Sequence, residues 1–301
     1  LKLTKLLHIN KPIIQGSMAG ISQPPLVIAV SNAGGLGVLT TVGLTPETLR
    51  EAIQAIRAGT RQPFGVNLML QQPNISALLP VLLADPVPVV FTGAGNPKPF
   101  IQDLINVGTK VIPVIPNVKI ARKMSALGAS AVVAEGMESG GHIGTETTMT
   151  LVPQVVSAVD LPVIAAGGIG TVASVRAAFS LGAVGVQVGT AFLVAAETPV
   201  ANTYKRLILQ ADDTSTVVTG TGADRVRSLK TPLTEKLLTA TPTEQVKLAT
   251  GSLQRAIKGD VANGSFMAGQ IAGSIKKIEP AAQIINRLAQ GEPTILEELS
   301  Q

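Results

Sequence analysis

Residues 162–190 read PVIAAGGIGTVASVRAAFSLGAVGVQVGT, and they contain one full beat of the chain's organisation. An apolar run, PVIAA, ends in the pair Gly167-Gly168. Thr171 then offers a hydroxyl in front of a helical pattern, and Gly182 stands where that helix would stop. A second apolar run, VGVQV, follows and ends in Gly189-Thr190. Neither run alternates apolar with polar residues. Continuous runs suit strands buried on both faces, the condition of a parallel sheet covered by helices.

The same beat extends towards the N-terminus. PIIQG, GLGVLT, FGVNLML, PVVFTG, KVIPVI and AVVAEG precede the two runs above, making eight candidate strands. Helical patterns lie between them. Thr45-Pro46 reads as an N-cap followed by proline at the first helical position, and Leu49, Ile53 and Ile56 then share a face. Leu151, Val152, Val155, Val156 and Val159 make another apolar stripe. Eight strand–helix units before about residue 210 predict an α/β fold, a (β/α)8 TIM barrel over 1–211. Residues 212–265 are rich in Thr, Gly and charge and lack the beat, so they are expected to form a lid or small cap. Residues 266–301 read as a C-terminal helical segment packing back on the barrel, with the helical pattern running from 267 to about 290.

Composition removes several classes of function. Hydrophobic residues make up 46% of the 301, yet no apolar run approaches the ~18 residues of a spanning helix. The richest stretch, SALLPVLLADPVPVVF, is broken by Asp85, Pro80, Pro86 and Pro88. The opening LKLTKLLHINKP, which starts with Leu, has charges where a secretory signal needs an apolar block. Without cysteine there are no disulfides, thiolate nucleophiles or Cys-based metal sites, and two distant histidines give no metal cluster. The net charge is +5 but aromatics are only 2%, too few for stacking on nucleic-acid bases. The expectation is a cytoplasmic protein with no bound metal, no membrane and no nucleic acid.

A barrel places its site at the carboxyl ends of its strands. There the sequence puts Gly16, Ser17 and Met18, then Asn67, Thr92 and Gly93, Glu135, Gly167 and Gly168, and Gly189 and Thr190. Glycines at strand ends let backbone approach a ligand and expose N–H groups. One such loop is no more than a tight turn, but the pair after strands seven and eight is where barrels hold phosphate. Gly168, Gly170 and Ala173 also match a dinucleotide fingerprint, G-x-G-x-x-A. That motif calls for an acid at the end of the next strand, and VGVQVGT ends without one. His142 follows the sixth strand in EGMESGGHIGTETTMT (135–150), flanked by Gly140, Gly141 and Gly144. A lone surface histidine would be unremarked, but flanking glycines leave room for a ligand against the imidazole. Arg225, Arg227, Lys230 and Lys236 face a single acid, Glu235, over 225–236.

TGAGNP (92–97), VIPVIPNV (111–118), AEGMESGGHIG (134–144), PVIAAGGI (162–169), GVQVGTAF (185–192) and MAGQIAG (267–273) carry a resemblance over nearly the whole chain. The sequence resembles the FMN-dependent enoyl-acyl-carrier-protein reductases II, in the nitronate monooxygenase (2-nitropropane dioxygenase) superfamily. The resemblance implies FMN across the barrel mouth, its phosphate at Gly167-Gly168 and Gly189-Thr190. Gly16, Ser17 and Met18 would pass the ring, with Ser17 where the family usually has a second glycine. Asn67 would meet the ring's polar edge, with Thr92 and Gly93 on the neighbouring strand. Glu135, Gly140 and Gly141 would hold the ribityl side, and Gln270 would approach from the tail. His142 would face the reacting side as the catalytic residue. Ping-pong hydride transfer from NADPH or NADH to an enoyl thioester on acyl carrier protein is the implied activity, with Arg227 and Lys230 as candidates for nicotinamide or substrate binding. Oxidation of alkyl nitronates by O2 is the alternative. A homodimer and a monovalent cation also follow from the resemblance alone.

Overall fold

The computed structural model describes residues 2–293; Leu1 and the last part of the expected C-terminal segment, 294–301, lie outside the described residues. The first strands are β1 (Ile13–Gln15), β2 (Gly37–Thr40), β3 (Phe64–Met69), β4 (Val89–Gly93), β5 (Lys110–Ile115) and β6 (Val132–Glu135). A two-residue strand, β7 (Gly141–His142), precedes β8 (Val163–Ala166) and β9 (Gly185–Val188), and β10 (Thr216–Thr219) and β11 (Val226–Leu229) follow. Eight of these form one parallel sheet in the order β1-β9-β8-β6-β5-β4-β3-β2. The bridge from Ile14 to Leu36 joins its two edges and closes the barrel. All eight expected strands are present.

Packing explains why the runs are continuous. Ile14, Val38, Val89, Phe91, Ile112, Val133 and Ile164 fill the inside of the barrel. Their neighbours along each strand, among them Val66, Val90, Val132 and Val163, meet the helices outside. Both faces are dry, so both are apolar. Thr45 caps Pro46–Gly59, accepting from Thr48 N, and Leu49, Ile53 and Ile56 are buried along one side. Thr171 caps Val172–Ser180 in the same way. Such caps stabilise a helix by about 1 kcal/mol each. Gly182 follows the second helix at φ +93°, a left-handed turn that suits glycine.

Two features bear on how the chain is divided. After β9 come only the short helices Thr190–Leu193 and Asn202–Leu209. The helix Ala281–Ala289 instead packs between Pro24–Asn32 and Val172–Ser180 and against β1, burying Ile284, Ile285 and Leu288. The barrel's outer layer is thus completed by residues far past 211. This is the helix within the 267–290 pattern; its first part is a 3-10 turn, Gln270–Ser274. Residues 212–265, which lack the strand–helix beat in sequence, nonetheless hold the hairpin β10–β11 and the helices Pro232–Thr239, Pro242–Ala249 and Ser252–Ile257. Thr216-Val217-Val218-Thr219 is β-branched throughout, a strand composition hidden among polar neighbours.

Candidate active site

The carboxyl ends of the barrel strands open into a cavity of about 670 Å³. Gly16, Ser17, Met18, Asn67, Gly93, Glu135, Gly140, Gly141, His142, Gly167, Gly168, Gly189 and Thr190 all line it, drawn from loops up to 174 positions apart. The barrel brings together what the chain scatters. Gln270 does not line it: the side chain is exposed, while Met267, Ala268, Gly269 and Ile271 do, and Gln270 N donates to Glu138 O. Thr92 is buried yet does not line the cavity, since strand alternation gives that face to Phe91 and Gly93.

The loop after β1 is shaped from below. Gln15 is fully buried; its amide donates to Ser22 Oγ and its carbonyl accepts from Val38 N. Ser22 Oγ in turn accepts from Met18 N at 2.8 Å. The hydroxyl of Ser17 is buried without a protein partner. At the far side Gly167 and Gly168 are both left-handed, at φ +93° and +69°, and a Cβ on Gly167 would stand 2.6 Å from Gly136 O. Gly93 and Gly189 face open space, with nothing within 4 Å of where a Cβ would be. Thr190 Oγ1 accepts from Gly269 N, which leaves its proton for another acceptor.

His142 is less free than its glycines suggest. It forms β7, the third strand of a sheet with β10 and β11, opposite Val226, while Gly141 pairs with Arg227. Its side chain is exposed at the mouth. Beneath it the loop 136–140 is locked in place. Arg227 is 5% exposed; its Nε donates to Met137 O and a terminal nitrogen donates to Thr216 Oγ1. Burial holds its guanidinium below the usual range, and Glu138 opposes that drop. Glu138 also accepts from Thr148 N and Oγ1, capping the helix Thr148–Val156 with a carboxylate where the helix dipole favours one. Arg227 therefore fastens the lid to the His142 loop and does not line the cavity. Lys230 points elsewhere, to a separate groove with Asp212 and Ser215. Neither of these two residues, expected to meet nicotinamide or substrate, lines the cavity; among the described residues Arg225 is the one arginine or lysine that does.

Glu135, at the end of β6, opens onto the cavity but is otherwise enclosed by protein. Burial pushes its carboxyl up to about 7. The Ser139 hydroxyl opposes that rise without completing a hydrogen bond. Tyr204, absent from the sequence reading, is fully buried against the cavity, its ring edge-on to Phe266 at 4.8 Å and its hydroxyl donating to Met267 O at 2.7 Å. As the chain's one tyrosine, it was the available signal. No group of His, Asp or Glu among the described residues could hold a metal ion.

A closed barrel with glycine loops at two adjacent strand ends, an unpartnered hydroxyl and a histidine over the mouth fits a flat phosphorylated cofactor, and the class is a flavin-dependent oxidoreductase of TIM-barrel fold. The family model for nitronate monooxygenase matches residues 1–79 and 76–291. The chain belongs to that family, whose members depend on FMN. Among solved structures, FabK from Thermotoga maritima superposes with a TM-score of 0.94 at 44% identity, over 99% of this chain and 97% of that one. A nitronate monooxygenase of Paraburkholderia phytofirmans is 31% identical over 99% of this chain and 97% of its own length. A 5-hydroxy-7a-methyl-1-oxo-octahydro-1H-indene-4-carboxyl-CoA dehydrogenase of Mycobacterium tuberculosis is 39% identical over 78% of this chain and 67% of its own length.

Proposed function

We propose that the protein is an FMN-dependent, NAD(P)H-using reductase of trans-2-enoyl thioesters, of the kind carried on acyl carrier protein. The likeness to FabK, an enoyl-acyl-carrier-protein reductase II, over 99% of the chain at 44% identity carries this reading. It includes the lid, where family members would be freest to diverge.

FMN, when bound, supplies hydride exchange between a nicotinamide and the enoyl carbon. Gly167, Gly168, Gly189 and Thr190 would hold its phosphate, and Ser17, Met18, Asn67 and Gly93 would border its ring. The chain's own work is positional and acid–base. The Gln15–Ser22–Met18 network fixes the loop after β1 before any ligand arrives. Gly222, Arg225 and Leu253 from the 212–265 segment and the 267–269 backbone border the cavity. His142 stands at the open side with its imidazole exposed, ready to donate a hydrogen bond to the thioester carbonyl oxygen or a proton to the adjacent carbon.

Oxidation of alkyl nitronates by O2 is the second reading, favoured by the Paraburkholderia relative over 99% of this chain. There the same imidazole would act as base on the carbon of a nitroalkane, giving the nitronate, or would bind the nitro group. A homodimer, a monovalent-cation requirement and a cytoplasmic location belong to the reductase reading as well; among the described residues no helix is long and apolar enough to cross a membrane.

One anaerobic experiment separates the two. Protein loaded with FMN is mixed with NADPH or NADH, and the loss of its yellow absorbance is followed before a crotonyl thioester is added. Rapid loss with at least one nicotinamide, then recovery on adding the thioester, is the expected result. Little loss with either, together with fast aerobic turnover of alkyl nitronates, would instead establish the second reading.

A further inference from the structure

We propose that Arg225 receives the phosphate of the molecule that docks over the mouth, and so decides which phosphorylated partner is accepted. This rests on the reductase reading, in which both partners carry phosphate: the nicotinamide dinucleotide in its pyrophosphate, the carrier-linked thioester in its phosphopantetheine.

Among the described residues, the acidic and basic side chains that line the cavity are Glu135, Glu138, His142 and Arg225. Arg225 is the one lysine or arginine among the described residues that does so. Its place is set by the lid. Ile143 N donates to Arg225 O at 3.1 Å, and the next residue, Val226, lies opposite His142. Arg225 thus stands on the same pinned edge as His142, half-exposed, and lines the cavity.

Little engages it there. Nε donates to Gly222 O at 3.3 Å, and among the described residues no carboxylate pairs with the group and neither terminal nitrogen has an acceptor. A guanidinium with its terminal fork unoccupied is suited to bidentate capture of phosphate. The other arginine of the strand shows the contrast. Arg227 is buried and bonded to Met137 and Thr216, so it cannot reach a ligand. Lys230 faces a different groove. The basic patch read along the chain divides into one structural arginine, one distant lysine and one arginine at the mouth.

The test compares ligands with and without phosphate. Coenzyme A and NAD⁺ are titrated calorimetrically into oxidised FMN-loaded protein, parent against Arg225→Gln and Arg225→Lys. Turnover is measured with crotonyl-CoA against crotonyl-N-acetylcysteamine, and with NADH against 1-benzyl-1,4-dihydronicotinamide. Arg225→Gln should weaken coenzyme A, NAD⁺ or both by roughly tenfold or more, leave the phosphate-free analogues within about twofold, and flatten the salt dependence of binding. Whichever ligand weakens names the source of the phosphate. Arg225→Lys should recover part of the loss, and it carries the comparison should the glutamine variant lose FMN. Unchanged binding of both phosphorylated ligands would overturn the proposal, and so would an equal loss for the phosphate-free analogues. If the parent reduces neither crotonyl-CoA nor crotonyl-N-acetylcysteamine, the reductase reading falls, while the calorimetry still decides the role of Arg225.

Discussion

His142 and Glu135 sit seven positions apart on one loop, and their surroundings give them different tasks. The imidazole is exposed at the mouth, whereas the carboxyl is enclosed and raised to about 7. His142→Ala should leave FMN bound, because the loops expected to hold its phosphate belong to other strands, and should slow thioester reduction by roughly 10²–10⁴-fold. The flavin spectrum and the single-turnover rate check the two halves separately. For Glu135 the sign of the pH effect is set by its raised value. Between about 4.5 and 7 the folded protein keeps a proton that the unfolded chain releases, so stability falls as pH rises through that window and is flat above it. Glu135→Gln should abolish this slope in the FMN-free protein and make it more stable than the parent at pH 8, by up to ~3 kcal/mol. Urea midpoints at pH 5 and pH 8 measure it; equal slopes in parent and variant would mean that the cavity already hydrates the carboxylate.

Among the elements, the small sheet of β10, β11 and β7 matters most, because it ties the 212–265 segment to the His142 loop. Arg227 is the tie, bonded to Met137 O and Thr216 Oγ1. Its removal takes the donor from a part-buried carbonyl, at about 1 kcal/mol. Arg227→Ala should raise amide exchange over 137–142 and 226–229 while the barrel strands keep their protection. On the other side of the loop Gly140 lies against backbone: a Cβ there would stand 2.7 Å from Ala268 C. Backbone cannot swing aside as a side chain can. Gly140→Ala should therefore displace the 267–269 segment from His142 and lower thioester reduction more than it lowers the thermal midpoint of the barrel.

At the scale of the molecule, the barrel depends on its last described helix. Ile284, Ile285 and Leu288 from Ala281–Ala289 are buried against the start of the chain and against Val172–Ser180. Ile285→Ala should cost about 2–5 kcal/mol, as a large-to-small change at a fully buried site does, and should lower the single unfolding transition as a whole. A separate early transition would show instead that the helix is an appendage. Strand β1, the helix Pro24–Asn32 and the helix Ala281–Ala289 thus close one barrel, and residues 212–265 are an excursion between the eighth strand and its covering helix.

The eight strands were legible because a strand dry on both faces must be written as a continuous apolar run, whatever its neighbours. The helix ends at Thr45, Thr171 and Gly182 were legible because capping is local chemistry. The glycines at the strand ends likewise marked the mouth, and thirteen of the positions expected there line one cavity. What the sequence could not express is direction across space. Nothing in ADRVRSLK distinguishes Arg225 from Arg227; Arg227 lies within β11, paired with Gly141 and buried, whereas Arg225 precedes the strand, after the 3-10 turn Gly222–Asp224, and lines the cavity. Thr92 and Gln270 fell outside the cavity for a similar reason, since strand phase and a 3-10 turn decide which neighbour faces inward. The raised carboxyl of Glu135 also had no local signature, because desolvation is summed over every element packed around it and exists only once the barrel has closed.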